Sequence, residues 1–167
     1  MATLDPELDV AVAALAAEDA RFVVVGGFSV IANRFVRATE DIDFLVPDGA
    51  ENDRRVLAAL RKLDAVRFRD DQPLHDDHLL GQTHLRAKTQ AGIVDILRGG
   101  LPPLDYDTVQ ENAIRADYGG VEFLLAGLRS IVGFKRLADR PHDRNDLIGL
   151  AEIHGELPVD PIPGLDT

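Results

Sequence analysis

The chain has 167 residues, 46% of them hydrophobic, with no cysteine and a formal net charge of -11 at neutral pH. That length and apolar content suit one domain with its own core, and the absence of cysteine excludes a disulfide framework and thiolate metal ligation. No apolar run is long enough to span a bilayer, and Met1 to Ala20 carries five acids and no Lys or Arg, unlike a secretory leader, so a soluble cytoplasmic protein is expected.

The acidity is concentrated at the ends. Residues 1–20 carry -5 and residues 151–167 carry -4, which leaves 18 basic and 20 acidic side chains in between. A nearly neutral middle does not forbid a nucleotide ligand. No stripe of Lys and Arg with interleaved aromatics appears, which excludes extended non-specific nucleic-acid binding.

In chain order, Asp5-Pro6-Glu7 offers an N-cap and a first-turn proline, and Leu8, Val12, Leu15 and Ala16 give the following helix one apolar face. Residues 21–25 form a short apolar run ending in Gly26-Gly27, and residues 28–35 have helical spacing, so the order is strand, tight turn, helix. Ile42, Phe44, Leu45 and Val46 read as a buried strand, and residues 49–63 as an amphipathic helix with Val56, Leu57 and Leu60 inward. Strands are expected at 65–69, 83–89 and 93–97, with a polar loop at 70–82. Leu101-Pro102-Pro103 breaks the chain, residues 113–125 form a hairpin turning at Gly119-Gly120, and residues 128–137 and 143–153 are the last helices. Pro141 is expected to end the first of these helices and Asp143 to cap the second. The globular domain is placed at 1–154, and the acidic tail 155–167, with Pro158, Pro161 and Pro163, reads as extended or disordered.

The chemistry lies where these elements meet. Asp41 and Asp43 are two apart on a strand and therefore share a face. Two converging carboxylates repel unless a cation lies between them, and hard oxygen donors suit Mg²⁺. Gly26 and Gly27 lack a Cβ and let backbone N–H groups approach a phosphate, with Ser29 as a further donor. Asp95 interrupts the apolar run Gly92-Ile93-Val94-Asp95-Ile96-Leu97, where an acid is costly to bury unless paired or metal-bound. The alternative for Asp95 is a strand-end cap on the turn into Arg98-Gly99-Gly100. His75, His78 and His84 are too few and too solvated for zinc, which takes three or four converging ligands; the loop they mark either is plain solvated chain or reaches over a nucleotide or acceptor. Lys135, Arg136, Arg140, His142 and Arg144, interleaved with Asp139, Asp143 and Asp146, make the one dense basic cluster, which as a helical corner would pair its charges on the surface.

Val25-Gly26-Gly27 and Asp41-Ile42-Asp43, separated by the thirteen residues 28–40, resemble the polymerase-beta-type nucleotidyltransferase superfamily, whose signature is a hydrophobic residue, Gly, Gly or Ser, a spacer and Asp-hydrophobic-Asp. The run Arg37-x-Thr39-x-Asp41-x-Asp43 is most similar to small bacterial nucleotidyltransferases related to abortive-infection and toxin-antitoxin enzymes, and the resemblance spans roughly residues 20–150. It implies an α+β nucleotidyltransferase fold, with a central mixed β-sheet flanked by helices and a short C-terminal helical segment. It also implies that Asp41, Asp43 and Asp95 are catalytic and hold two Mg²⁺ ions, with Mn²⁺ as a substitute. Gly26, Gly27, Ser29 and Lys135 would then face the phosphates of an NTP such as ATP. The implied reaction moves a nucleoside monophosphate to a hydroxyl on an RNA end or a partner protein, as in a toxin-antitoxin pair with its cognate partner, and releases pyrophosphate. Two alternatives stand beside it. One is an antibiotic-modifying enzyme of aminoglycoside or lincosamide type, in which Asp70, Asp71, Asp76 and Asp77 would receive amines. The other is an inactive nucleotide-binding or interaction module.

Overall fold

The computed structural model describes residues 5–166. Among these residues seven strands form one sheet: β1 (Val23–Val25), β2 (Asp41–Leu45), β3 (Val66–Arg67), β4 (His84–Thr89), β5 (Gly92–Leu97), β6 (Ile114–Tyr118) and β7 (Val121–Leu125), in the spatial order β3-β4-β5-β2-β1-β7-β6. The sheet is mixed, because β2 runs parallel to β5 and β1 parallel to β7 while the remaining neighbours are antiparallel. Among the described residues six helices complete the α+β architecture: α1 (Leu8–Ala17), α2 (Gly27–Ala32), α3 (Ala50–Lys62), α4 (Tyr106–Glu111), α5 (Leu128–Ala138) and α6 (Pro141–His154). Among the described residues no helix is long and apolar enough to cross a membrane.

Strand alternation divides the apolar residues between two cores. Val24, Ile42, Phe44, Val94 and Ile96 point to one face, where they meet Val12 and Leu15 of α1 and Val56, Leu57 and Leu60 of α3. Val23, Val25 and Leu45 point to the other face and pack with Ile131 of α5 and Leu150 of α6. Phe44 is fully buried with its ring edge-on to Phe22 at 5.4 Å. Each such side chain contributes about 1.5–3 kcal/mol of transfer free energy, so the sheet and its two helical layers are held chiefly by these contacts. Asp41, Asp43 and Asp95 therefore lie on the α5–α6 face, since their neighbours Ile42, Phe44, Val94 and Ile96 are committed to the α1–α3 face.

Several elements differ from the sequence expectation, each for a local reason. The first helix begins at Leu8, and the Glu7 backbone N–H before it donates to Ala91 O at 2.8 Å. The glycine-turn helix α2 stops at Ala32: Asn33 Nδ2 donates to Ser29 O at 2.8 Å and to Ala126 O at 3.1 Å, and Arg34 follows with φ of 78°. The polar loop 70–82 is anchored by Leu74 and Leu79, both buried, around a single 3-10 turn at Asp76–His78. Helix α4, unforeseen, is one and a half turns capped by Asp105, whose carboxylate accepts from the Thr108 N–H. Pro141 opens α6 at its first turn rather than closing α5, which ends at Asp139 in a left-handed conformation, and Asp143 sits inside α6, where its side chain accepts the Arg140 backbone N–H. The segment after Gly155 has no helix or strand up to Asp166 and lies against α5: Ile162 is buried next to Gly133, Arg129 pairs with Asp160, and Arg136 pairs with Asp166 at 2.6 Å.

Candidate active site

Asp43 and Asp95 are Cα partners in the parallel β2–β5 ladder, and Asp41 is one pleat earlier on the same face. The three offer carboxylate oxygens that all lie within 4.8 Å of one another, the one such group among the described residues. His75, His78 and His84 form no comparable cluster there; the His78 Nδ1 accepts the His75 backbone N–H at 3.1 Å. Asp43 is raised from 3.8 to about 7, first by burial, then by the charges of Asp41 and Asp95 and a hydrogen bond shared with Asp95, against the pull of Lys135. Without a cation, this group therefore favours a proton on Asp43. Three carboxylates whose oxygens lie within 4.8 Å of one another are a donor set that fits Mg²⁺.

The glycine turn makes room for this arrangement. Gly26 has φ of 68° and ψ of -149°, a backbone conformation open to glycine, and a methyl there would overlap the Asp43 carboxylate. Gly27 is buried, and a methyl there would overlap the Thr39 side chain. Ser29 is fully buried and its hydroxyl donates to Gly26 O at 2.6 Å, so it shapes the turn from inside. Residues 33–40, which deliver the chain to Asp41, are fixed at several points. Phe35 lies on Gly149, Arg37 grips Asp146 with Nε at 2.6 Å and Nη2 at 2.8 Å, and the Thr39 hydroxyl donates to Asp41 O at 3.2 Å.

Lys135 is not among the free surface charges. It is 7% exposed and its ammonium lies 2.9 Å from both Asp143 and Asp146, which are themselves buried. Burial alone would raise Asp143, but hydrogen bonds from Arg140 and Lys135 overcome it and bring the carboxyl down to about 2. The Lys135 charge still acts on Asp43, and Arg140 in turn is stabilised by Asp143 and, at longer range, by Asp43 and Asp41. The surface pairing expected for this corner holds for Arg144 and Asp139, whereas Lys135, Asp143 and Asp146 form a buried ion network whose charge reaches Asp43.

Sequence reasoning missed Arg86 and the role of His84. Arg86 is the Cα partner of Asp95 across the antiparallel β4–β5 ladder, and its Nη1 donates to Asp95 at 2.8 Å and to Asp41 at 3.3 Å. His84 Nε2 is 2.7 Å from the other Asp95 oxygen. The signal was the alternation in β4, where His84, Arg86 and Lys88 oppose Leu85, Ala87 and Thr89. Both residues also line a cleft of about 690 Å³ that opens between β4 and the loop 70–82, so the acids and the cleft share a wall.

No family model and no curated protein matches the chain in sequence. In structure it is similar to ANT(2")-Ia, solved in complex with adenylyl-2"-tobramycin, with a TM-score of 0.58 over 87% of this chain and 86% of that one, at 15% identity. The fold is that of the nucleotidyltransferases.

Proposed function

We propose that the protein is a Mg²⁺-dependent nucleotidyltransferase that transfers a nucleoside monophosphate from an NTP to an acceptor hydroxyl. The observation that carries this reading is the convergence of Asp41, Asp43 and Asp95 within 4.8 Å beside a glycine turn, in a nucleotidyltransferase fold. Asp41, Asp43 and Asp95 would hold the ions. When bound, Mg²⁺ would neutralise the triphosphate and make the acceptor hydroxyl more acidic.

The remaining duties fall to the chain itself. Gly26 and Gly27 would let the triphosphate approach the backbone next to Asp43, with Ser29 keeping the turn in shape. Lys135 would act on the nucleotide through its field rather than by direct contact, given its two carboxylate partners. In the transfer, the acceptor oxygen bonds to the α-phosphorus while the bond from that phosphorus to the α,β-bridging oxygen breaks, and pyrophosphate leaves. The hydroxyl proton would pass to Asp95, with His84 as its hydrogen-bonded outlet to solvent. Most of the rate would come from positioning and charge neutralisation, with no covalent protein intermediate.

A small polyol acceptor, as in antibiotic modification, is supported by the adenylylated tobramycin in the similar structure. An RNA or protein acceptor in a toxin-antitoxin setting would use the same chemistry. The test is incubation with each α-labelled NTP and Mg²⁺ over a panel of acceptors. Label transfer that is lost on chelation and in Asp43→Asn is the expected result; transfer that survives both would overturn the proposal.

A further inference from the structure

The two edges of the sheet are unlike. β3 is two residues long and is taken up by its own loop: Val66 bridges to Pro73, and the Arg67 N–H donates to Gln72 O at 2.8 Å. β6, at the other edge, is five residues long and carries no proline. Ala116 is half-buried, and the residues on either side of it are exposed, Ile114 by 36% and Tyr118 by 60%. The turn Gly119-Gly120 has φ of 61° and 84° and closes the hairpin between the register partners Tyr118 and Val121. In a two-residue turn of this kind the flanking pair exchanges both backbone hydrogen bonds, so Ile114, Ala116 and Tyr118 direct their N–H and C=O groups to β7. Those of Arg115 and Asp117 point away from the sheet, an open row that another strand can pair with.

The side chains on this edge are unbalanced in a single copy. Asp117 faces Glu122 across the β6–β7 ladder, and like charges directly opposite each other are unfavourable. The Gly120 N–H donates to Asp117 Oδ1 at 3.0 Å, while Arg115 makes no hydrogen bond or ion pair among the described residues. The order Ile114-Arg115-Ala116-Asp117-Tyr118 is complementary to itself when reversed. Laid antiparallel about Ala116, Arg115 of one copy falls opposite Asp117 of the other, twice by symmetry, and Ile114 falls opposite Tyr118. These are opposite-charge and β-branched–aromatic cross-strand pairs, both favourable, and the outward backbone groups of Arg115 and Asp117 meet in the same register. Centring the pair on Arg115 or Asp117 instead would set like charges together, so charge selects the Ala116 register.

We infer that β6 is a self-association edge: a second copy of this chain adds its own β6 antiparallel across a two-fold axis at Ala116, joining two seven-stranded sheets into one. Strands β1 and β7 separate Asp41, Asp43 and Asp95 from the seam, so pairing leaves the acids open. The inference therefore stands apart from the nucleotidyltransferase reading. Five residues per copy make a small contact beside the roughly 800 Å² that each partner gives to a standard interface, so the dimer is weak and forms with rising concentration.

The test follows the 167-residue chain by sedimentation velocity from about 1 µM to about 1 mM, the range over which a weak dimer fills, with amide hydrogen exchange read by NMR at both ends. The expected result is monomer at the low end and dimer at the high end, with exchange at the Arg115 and Asp117 amides slowing as the dimer forms. Arg115→Glu and Asp117→Lys each set like charges across the seam, and each should weaken association about tenfold or more. Mixed in equal amounts the two variants should recover it, since the introduced glutamate then faces the introduced lysine while the native pair forms at the other end. Tyr118→Ser, at an exposed position, tests the seam if Asp117→Lys disturbs the turn, and should also weaken it. A chain that stays monomeric at about 1 mM, whether or not a strand of a different protein binds β6, overturns the inference. Unchanged dimerisation in folded Arg115→Glu and Tyr118→Ser, with the Arg115 and Asp117 amides exchanging freely, places the interface elsewhere and overturns it too. A mixture of the two folded charge variants that remains monomeric overturns the two-fold register.

Discussion

Asp43 and Asp95 face each other as register partners on two parallel strands, with Asp41 one pleat away, and no Lys or Arg lies between Asp43 and Asp95 in the ladder. Arg86 reaches Asp95 and Asp41 from the neighbouring strand, and Asp43 keeps a raised pKa of about 7. The cluster is thus under-neutralised on the Asp43 side.

The metal-free protein should therefore lose stability as pH rises. Asp43 titrates near 3.8 when unfolded and about 7 when folded, so the folded state holds its proton more tightly. Its contribution is complete below pH 3.8 and is lost as pH climbs through about 7. A melting series in EDTA should fall across that window by several degrees, on the order of 1–3 kcal/mol. Asp43→Asn should flatten the slope, and Mg²⁺ should restore stability at the alkaline end. A parent slope equal to that of Asp43→Asn would show that the acids do not crowd one another.

Arg86 supplies the positive charge that Asp41 and Asp95 lack. Arg86→Gln should tighten Mg²⁺ binding several-fold, because no guanidinium then competes at 2.8 Å for the Asp95 oxygen. Turnover should fall at the same time, since the orientation of Asp95 loosens. Isothermal titration with Mg²⁺ and single-turnover rates separate the two effects. Weaker Mg²⁺ binding in Arg86→Gln would mean that the arginine organises the site more than it competes.

How far the sequence reveals this site depends on how local each determinant is. Asp41 and Asp43 are legible because period-two alternation on one strand fixes their common face, and Asp95 because an acid breaks an apolar run. Arg86 is set by cross-strand register, which follows from where the turn between Thr89 and Gly92 closes, and a one-residue slip would turn it to the opposite face. Helix α4 spans six residues, too few for a 3.6-residue periodicity to stand out, although Asp105 is a good capping residue. The partners of Lys135 come from the next helix, so a lysine that reads as surface charge becomes interior.

The two glycines should respond differently from simple phosphate-binding positions. Gly27→Ala places a methyl into Thr39, and Gly26→Ala places one into the Asp43 carboxylate at a backbone angle suited to glycine. Each should cost about 1–3 kcal/mol, by overpacking or strain. Pairing Gly27→Ala with Thr39→Gly should recover part of the stability, which denaturant melts of the double-mutant cycle would read. Gly26→Ala should also shift the Asp43 titration, measurable by carboxyl-resolved NMR. Full additivity in the Gly27 and Thr39 cycle would rule out the contact.

Lys135 gives the sharpest contrast between a ligand contact and a structural charge. A lysine aimed at solvent-bound phosphate would leave the melting temperature nearly unchanged when removed. Here Lys135→Ala leaves Asp143 and Asp146, 0% and 2% exposed, without a shared ammonium. Arg140 and Arg37 each retain one of them, so the loss should be about 3 kcal/mol, toward the lower end of what breaking a buried pair costs. The pH dependence carries the same signature. Asp143 is held at about 2 in the folded protein, below its ordinary 3.8, so its contribution is present above pH 3.8 and lost as pH falls toward about 2. Lys135→Ala should shrink that acid-side loss, whereas Lys135→Met with Asp143→Asn should regain stability by removing charge from both sides. NTP affinity should fall only modestly in Lys135→Ala, in a salt-dependent manner, because its charge reaches the site without touching the phosphates. A melting temperature within one degree of the parent, about 0.3–0.5 kcal/mol for a chain of this size, would refute the buried network and return Lys135 to the surface.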